Sequence, residues 1–343
     1  AASDVYKRQM VLAVGQEMQI FSSPNLKDWT FESCFGKGHG AHGNVWECPD
    51  LFELPVEGTN EKKWVLLCSL GDGPFGDSAT QYFVGSFNGK EFVNESPSKT
   101  KWMDWGKDHY ATVTWSDAPD NRRIAIAWMS NWQYANDVPT SQYRSPNSVP
   151  RDLSLFTVDG ETYLQSAPSP ELLKLRDISK KRSFKVNGTR TIKDMIAGNE
   201  GAYEIELTIE NQYADVIGFR LYNDKGEEVD MQYDMKEKKF SMDRRKSGDV
   251  GFNENFPMLT WTAIESGKDE LKLRLFVDKS SVEAFGDGGR FVMTNQVFPS
   301  EPYTHIDFYS KGGAYKVDSF VIYKLKKEAH SPDSMRSFPV SLE

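Results

Sequence analysis

Cysteine is scarce: Cys34, Cys48 and Cys68 are the only three in 343 residues. An odd, sparse set does not make a disulfide framework, and no Cys-x-x-Cys pair offers zinc spacing. Histidine supplies no metal centre either. His39 and His42 share a Gly-rich stretch, but no third ligand stands nearby. No metal and no organic cofactor is expected. Long apolar runs are missing too. Nothing approaches the roughly 20 apolar residues of a spanning helix, so no membrane span is expected. Positive charge is in the minority, with 41 Lys and Arg against 50 Asp and Glu and a net charge of -9. That disfavours a general nucleic-acid binder, which carries a basic face. Acidity otherwise favours solubility and names no partner.

A long helical period is also lacking through residue 168. What stands there instead is a series of short apolar or alternating runs broken by Gly, Pro, Asn and Asp. Met10–Val14, Gln19–Ser23, Trp64–Leu70, Gln81–Phe87, Tyr110–Trp115, Arg123–Met129, Leu153–Val158 and Thr162–Gln165 read as strands. Their recurrence suggests a barrel, sandwich or propeller. After Ala167-Pro168-Ser169-Pro170, the stretch Glu171–Arg176 reads as a short linking helix. From Ser183 to Leu325 the runs lengthen and become two-sided, as in Tyr203–Ile209 and Leu271–Val277. One face on a core and one in water is the pattern of an antiparallel sandwich.

The organisation expected is residues 1–9 as a non-native scar, 10–170 as a partial propeller, 183–327 as a sandwich and 328–343 as a tail. Residues 1–9 have no apolar core of a signal peptide and do not lead naturally into Met10–Val14. Aromatics make up 13% of the chain, with 9 Trp. Sugar rings stack on aromatic faces, but sheets favour aromatics as well, so composition leaves both uses open.

The stretch that carries chemistry is Val45-Trp46-Glu47-Cys48-Pro49-Asp50-Leu51-Phe52. Pro49 has no N–H and a fixed φ, which suits the beginning or edge of a strand. Glu47 would then sit at a strand head among aromatic and weakly polar neighbours. Partial burial there would raise its pKa and suit a general acid. A structural Glu satisfied by a turn is the alternative.

Trp46-Glu47-Cys48-Pro49-Asp50 resembles the acid/base motif of glycoside hydrolase family 32, the invertases, inulinases and levanases. Further segments resemble the family in the expected order. They are Ser22–Trp29, Gly73-Pro74, Thr80–Gly89, Asp104–Ala111, Trp128–Tyr134, Val149–Leu153 and Ser281–Phe285. Asn131-Trp132-Gln133-Tyr134 looks most like the microbial inulinase and levanase branch. The resemblance implies an all-β fold, a five-bladed β-propeller followed by a C-terminal β-sandwich, with the propeller incomplete here. It also implies retaining cleavage of terminal fructosyl linkages in fructan or sucrose, by an Asp nucleophile and a Glu acid/base roughly 5–5.5 Å apart.

By that likeness Glu47 is the acid/base. Trp46, Cys48, Asp104, Lys107, Asp108, Trp128 and Trp132 are placed around the sugar. All but Trp46 have a plainer alternative: packing for Cys48, a surface turn for Asp104, solvation or ion pairing for Lys107 and Asp108, and blade core for Trp128 and Trp132. The family's nucleophile lies in an Asn-Asp-Pro segment and its transition-state stabiliser in an Arg-Asp-Pro segment. No Asp-Pro dipeptide occurs anywhere in this chain. The expectation is therefore a β-fructosidase truncated at its N-terminus and inactive as it stands. A non-catalytic fructan-binding protein and a fructosyltransferase on the same fold are the alternatives. Polymeric fructans are met outside the cytoplasm, so a secreted or periplasmic parent is expected. Asn94-Glu95-Ser96 and Asn187-Gly188-Thr189 match glycosylation sequons. Oligomeric state has no signature in the sequence.

Overall fold

A computed structural model describes residues 8–195, 201–264 and 270–326. The expected tail at 328–343 and the first seven residues lie outside them. Strand β1 (Arg8–Val14) begins two residues before Met10, so Arg8 and Gln9 pair with Ser23 and Ser22 of β2 (Glu17–Ser23). With β3 (Thr30–Phe35) these form a three-stranded sheet. A second sheet orders β4 (Trp46–Pro55), β5 (Lys62–Gly71), β6 (Ser78–Phe87) and β7 (Phe92–Asn94), and short β8 (Lys101–Trp102) also pairs with β6. A third holds β9 (Tyr110–Trp115), β10 (Ile124–Trp128), β11 (Arg151–Val158) and β12 (Glu161–Pro168). All three are antiparallel, and strands that follow one another in the chain pair along each sheet.

The expected linking helix is instead a 3-10 segment at Pro170–Leu175. Two prolines bracket its start, and the run between Pro170 and the next strand is too short for several α-helical turns. Strand β13 (Arg176–Val186) follows at once, ahead of residue 183. The remaining strands are β14 (Thr189–Ile192), β15 (Tyr203–Asn211), β16 (Val216–Tyr222), β17 (Glu228–Asp234), β18 (Lys239–Lys246), β19 (Leu259–Ala263), β20 (Glu270–Asp278), β21 (Ser281–Gly286), β22 (Phe291–Gln296), β23 (His305–Lys311) and β24 (Tyr315–Leu325). They form two six-stranded sheets, β13-β24-β15-β20-β21-β22 and β14-β23-β16-β17-β18-β19. Ile205, Leu207, Ile209, Leu271, Leu273 and Leu275 point into one shared core with Phe219, Met231 and Phe308 of the facing sheet. The alternation read from the sequence is thus the inward face of a sandwich.

Strands β21 and β22 break that pattern, because every residue in both is buried. Their polar side chains, Glu283, Thr294, Asn295 and Gln296, are covered rather than solvated. Thr294 and Gln296 meet the segment before β9, Glu283 meets Val149 and Arg151, and Asn295 reaches Thr260 of the facing sheet. Gly106 lies so close that a Cβ there would stand 1.9 Å from the Thr294 carbonyl oxygen. Trp105 N–H donates to Val292 O at 2.8 Å and Asp108 N–H to Thr294 O at 3.1 Å. The blade segment therefore docks backbone to backbone on the sandwich.

Candidate active site

Glu47 is the second residue of β4. Side chains alternate across a strand, so Trp46 and Glu47 face opposite ways. Trp46 is buried among Phe35, Phe83 and His42, and its Nε1–H donates to Ala41 O at 3.0 Å. It is a core residue, which corrects the expectation of a sugar contact. Glu47 is exposed, against the partial burial expected of it. A bulge in the β4–β5 pairing lies between Glu47 and Asp50, and Cys48 within it has φ 49°. Bulges of this kind re-aim side chains beside functional sites. A left-handed φ on a non-glycine residue costs about 1–3 kcal/mol and persists where surrounding structure imposes it.

Tyr110, the first residue of β9, reaches across from the third sheet and its hydroxyl donates to Glu47 Oε2. Burial first, then the Glu47 carboxylate, pushes the Tyr110 phenol far above its usual value, so it remains a donor. Ala111 directly after it has φ 51°. Both the carboxylate and its donor are thus followed by a residue held in the left-handed region. Tyr110 packs on Trp128 at 6.1 Å between ring centroids, and Trp128 on Trp132 at 4.8 Å. Trp132 is 57% exposed. The structure therefore brings together Glu47, Tyr110, Trp128 and Trp132, a carboxyl flanked by an open aromatic surface.

Beneath this surface runs a ladder of buried hydroxyls. Ser69 Oγ lies 3.2 Å from Thr80 Oγ1, which lies 2.9 Å from Thr112 Oγ1. It ties β5, β6 and β9 together under the site. Burial, and next the Glu47 charge, raises the Cys48 thiol, with Ser69 opposing. Burial pushes Cys68 up to about 12. Both are protonated thiols at neutral pH, not nucleophiles. His39 and His42 are spent on stacking, against Phe35 at 4.8 Å and Trp46 at 5.2 Å.

Asp104, Lys107 and Asp108 do not face the sugar surface. All three are buried at the contact with the sandwich. Asp104 accepts from Gly106 N–H at 2.7 Å, Thr294 N–H at 2.8 Å and Arg151 Nη1 at 2.8 Å. Burial opposes its ionisation, yet Arg151 foremost among its partners holds the carboxyl below its usual value. Arg151 also donates from Nη2 to Glu283 Oε2 at 2.9 Å. Asp108 accepts from the buried Arg244, from Tyr134 Oη at 2.5 Å and from Gln296 N–H at 2.7 Å. The sugar role expected of these acids is replaced by two buried ionic clamps between the sheets before and after residue 170.

Lys107 Nζ donates to Asn255 O at 2.7 Å. Burial, and then the Arg244 charge, pushes Lys107 down to about 8. The unfolded chain holds that proton more tightly, with a value of 10.5. The contribution to stability is therefore present above pH 10.5 and lost as pH falls towards 8. Lys107→Met is expected to remove this dependence. The difference in urea midpoint between parent and variant should grow in the parent's favour from pH 8 to pH 10.5, and a constant difference would refute the assignment.

The comparisons with known proteins bear on this arrangement directly. Residues 3–168 match the family model "Glycosyl hydrolases family 32 N-terminal domain", and residues 171–324 match "Glycosyl hydrolases family 32 C terminal". The chain belongs to glycoside hydrolase family 32. It is 44% identical over 328 residues to a levanase of Bacillus subtilis, covering 93% of this chain and 48% of that protein. It is 35% identical to an extracellular exo-inulinase of Aspergillus ficuum, covering 87% of this chain and 58% of the relative. The crystal structure of an exo-inulinase from Aspergillus awamori superposes with a TM-score of 0.82 at 31% identity, covering 93% of this chain and 65% of that one. The chain thus spans about half the length of the curated relatives it matches. The three sheets before residue 168 are blades of the family's β-propeller and the later two its β-sandwich.

Within this family 32 fold, Tyr110 stands at Glu47 although the sequence pattern gave it no place in the sugar set; it lies in the Asp104–Ala111 segment that resembles the family. Asp77, in the loop before β6, has φ 54° and accepts from Ser78 Oγ at 2.9 Å. Asn94 of the first sequon is 8% exposed and closed to a glycan, whereas Asn187 sits in an exposed turn.

Proposed function

We propose that the chain is the acid/base-bearing part of a β-fructosidase that hydrolyses terminal β-D-fructofuranosyl linkages in fructan or sucrose with retention. The observation that carries this reading is the Glu47 carboxylate, held by the Tyr110 hydroxyl at the head of β4 beside the Trp128–Trp132 pair. Glu47 protonates the leaving oxygen and later activates water, and Trp132 offers its open face to the sugar ring. Levanase and exo-inulinase relatives support the substrate class, and the word "extracellular" in the latter's name supports a secreted or periplasmic parent. In this reading the sheets from Arg8 to Pro168 are the catalytic part and the strands from Arg176 to Leu325 the sandwich.

The chain has no Asp-Pro segment to supply a nucleophile. Taken by itself it therefore binds fructosyl ends without cleaving them, which is also what a non-catalytic fructan-binding protein would do. Tryptophan fluorescence titrated with a fructose-terminated trisaccharide tests the site. Saturable binding is expected, weakened about tenfold by Trp132→Ala, the scale of one lost aromatic contact. A chain that binds no such sugar would exclude the reading.

A further inference from the structure

One aromatic surface lies outside the Glu47 site and is linked to it by one loop. The segment between β5 and β6 is fastened on two sides. Towards Glu47, Asn44 Nδ2 donates to Gly71 O at 3.3 Å, and a Cβ on Gly43 would stand 2.0 Å from Asp72 Cβ. Towards Trp132, Asn131 Nδ2 donates to Gly76 O at 3.0 Å and Trp132 N–H to Ser78 Oγ at 3.0 Å. Near its tip Phe75 meets Trp261 of β19 edge-on, with ring centroids 6.5 Å apart. Trp261 belongs to the sandwich, and β19 is the outer strand of its sheet. Thr260 and Thr262 point inward, whereas Leu259 and Trp261 are 36% and 42% exposed. Lys239 Nζ sits 4.9 Å over the Trp261 ring and brings N–H donors to the same place. An indole left this open, with an ammonium beside it, has the chemistry of a sugar platform: a flat apolar face for ring C–H groups and donors for hydroxyls.

We propose that Trp261 and Phe75 form a distal subsite for a β-fructan chain whose terminal fructosyl unit lies at Glu47 and Trp132. The inference rests on the Glu47 reading for the terminal unit and adds a subsite contributed by the sandwich. The occupant is a polymer rather than a protein, because the loop that carries Phe75 also touches Asn44 and Trp132 beside the sugar site. The subsite is expected to add affinity for a long chain beyond that of a short one held at Glu47 alone.

The test uses the whole chain and three probes: long-chain inulin, levan and a fructose-terminated trisaccharide. Polymer binding is read by retardation in gels containing inulin or levan, and trisaccharide binding by fluorescence. Trp261→Ala and Phe75→Ala are each expected to weaken retardation by at least one polymer roughly five- to tenfold and leave trisaccharide affinity unchanged. A polymer-selective loss in either variant supports the subsite. Polymer binding unchanged in both, or equal losses for polymer and trisaccharide, overturns it. Trp132→Ala separates the two readings, since it should weaken all three probes. If it does so while both other variants behave as the parent, the Glu47 site stands and the distal subsite falls. If the parent binds none of the probes, both fall.

Discussion

Arg151→Met is expected to destabilise the protein by about 3–5 kcal/mol, because it strands charge inside the protein instead of merely deleting a contact. Arg151 is wholly buried and stands between two buried carboxyls, Asp104 and Glu283. Nearby His109 cannot replace it. Burial first, and then Arg151 itself, pushes His109 down to about 3, so that ring is neutral. Burial raises the Glu283 carboxyl even with Arg151 present, while Asp104 is held low. The signs differ accordingly. Asp104 stabilises the fold above its ordinary value of 3.8 and loses that contribution as pH falls. Glu283 contributes below its ordinary value of 4.5 and loses that contribution as pH rises through its folded value. Without Arg151 both carboxyls behave in the second way. The deficit of the variant should therefore be larger at pH 7 than at pH 4. Urea denaturation at the two pH values checks this. A triple variant that also carries Asp104→Asn and Glu283→Gln should recover much of the loss, since it removes the stranded charges. A cost below about 1 kcal/mol at pH 7, or recovery by neither change, would show that the network is not what joins the two parts.

The same network marks where reading the sequence stopped. Strands were legible because alternation is a local signal, and Leu271–Val277 shows its inward face in nine residues of β20. Glu47 was legible for a similar reason: Trp46 through Asp50 is a contiguous motif. Asp104, Lys107 and Asp108 looked like a polar surface turn because their partners lie far along the chain. Arg151 is 47 positions from Asp104, and Arg244 is 136 positions from Asp108. Thr294, Asn295 and Gln296 were hidden in the same way. Thr294 and Gln296 face away from the sandwich core and meet the docked segment, whereas Asn295 donates to Thr260 Oγ1 of the facing sheet at 2.9 Å. One signal did exist in the sequence. A glycine between Trp105 and Lys107 permits the close approach to Thr294, and a surface turn alone does not require it. Exposure of Glu47 was missed for another reason: its aromatic neighbour Trp46 faces the opposite side of the strand and covers the core instead of the carboxyl.

Fused behind a segment that supplies the family's Asn-Asp-Pro and Arg-Asp-Pro motifs, the chain is expected to release fructose from sucrose, inulin and levan. Without that segment, release should be lower by on the order of 10⁴-fold or more, because Glu47 alone cannot form a glycosyl-enzyme. In the fused protein Glu47→Gln should lower turnover of these substrates by roughly 10²–10⁴-fold, the range of general acid–base catalysis. The loss must depend on the leaving group if Glu47 is the acid. A fructan or glucosyl oxygen leaves as a poor alkoxide and needs the proton. An activated aryl fructoside leaves readily without it, so its fructosyl-transfer step should be much less affected by the substitution. Tyr110→Phe removes the hydroxyl that orients Glu47 but leaves the carboxylate, so its loss should be smaller and follow the same ranking of substrates. Equal losses for aryl and natural substrates would make Glu47 a binding group instead of a proton donor. Full activity of Glu47→Gln would remove it from the mechanism, and fructose release by the unfused chain would mean that a carboxylate already present here serves as the nucleophile.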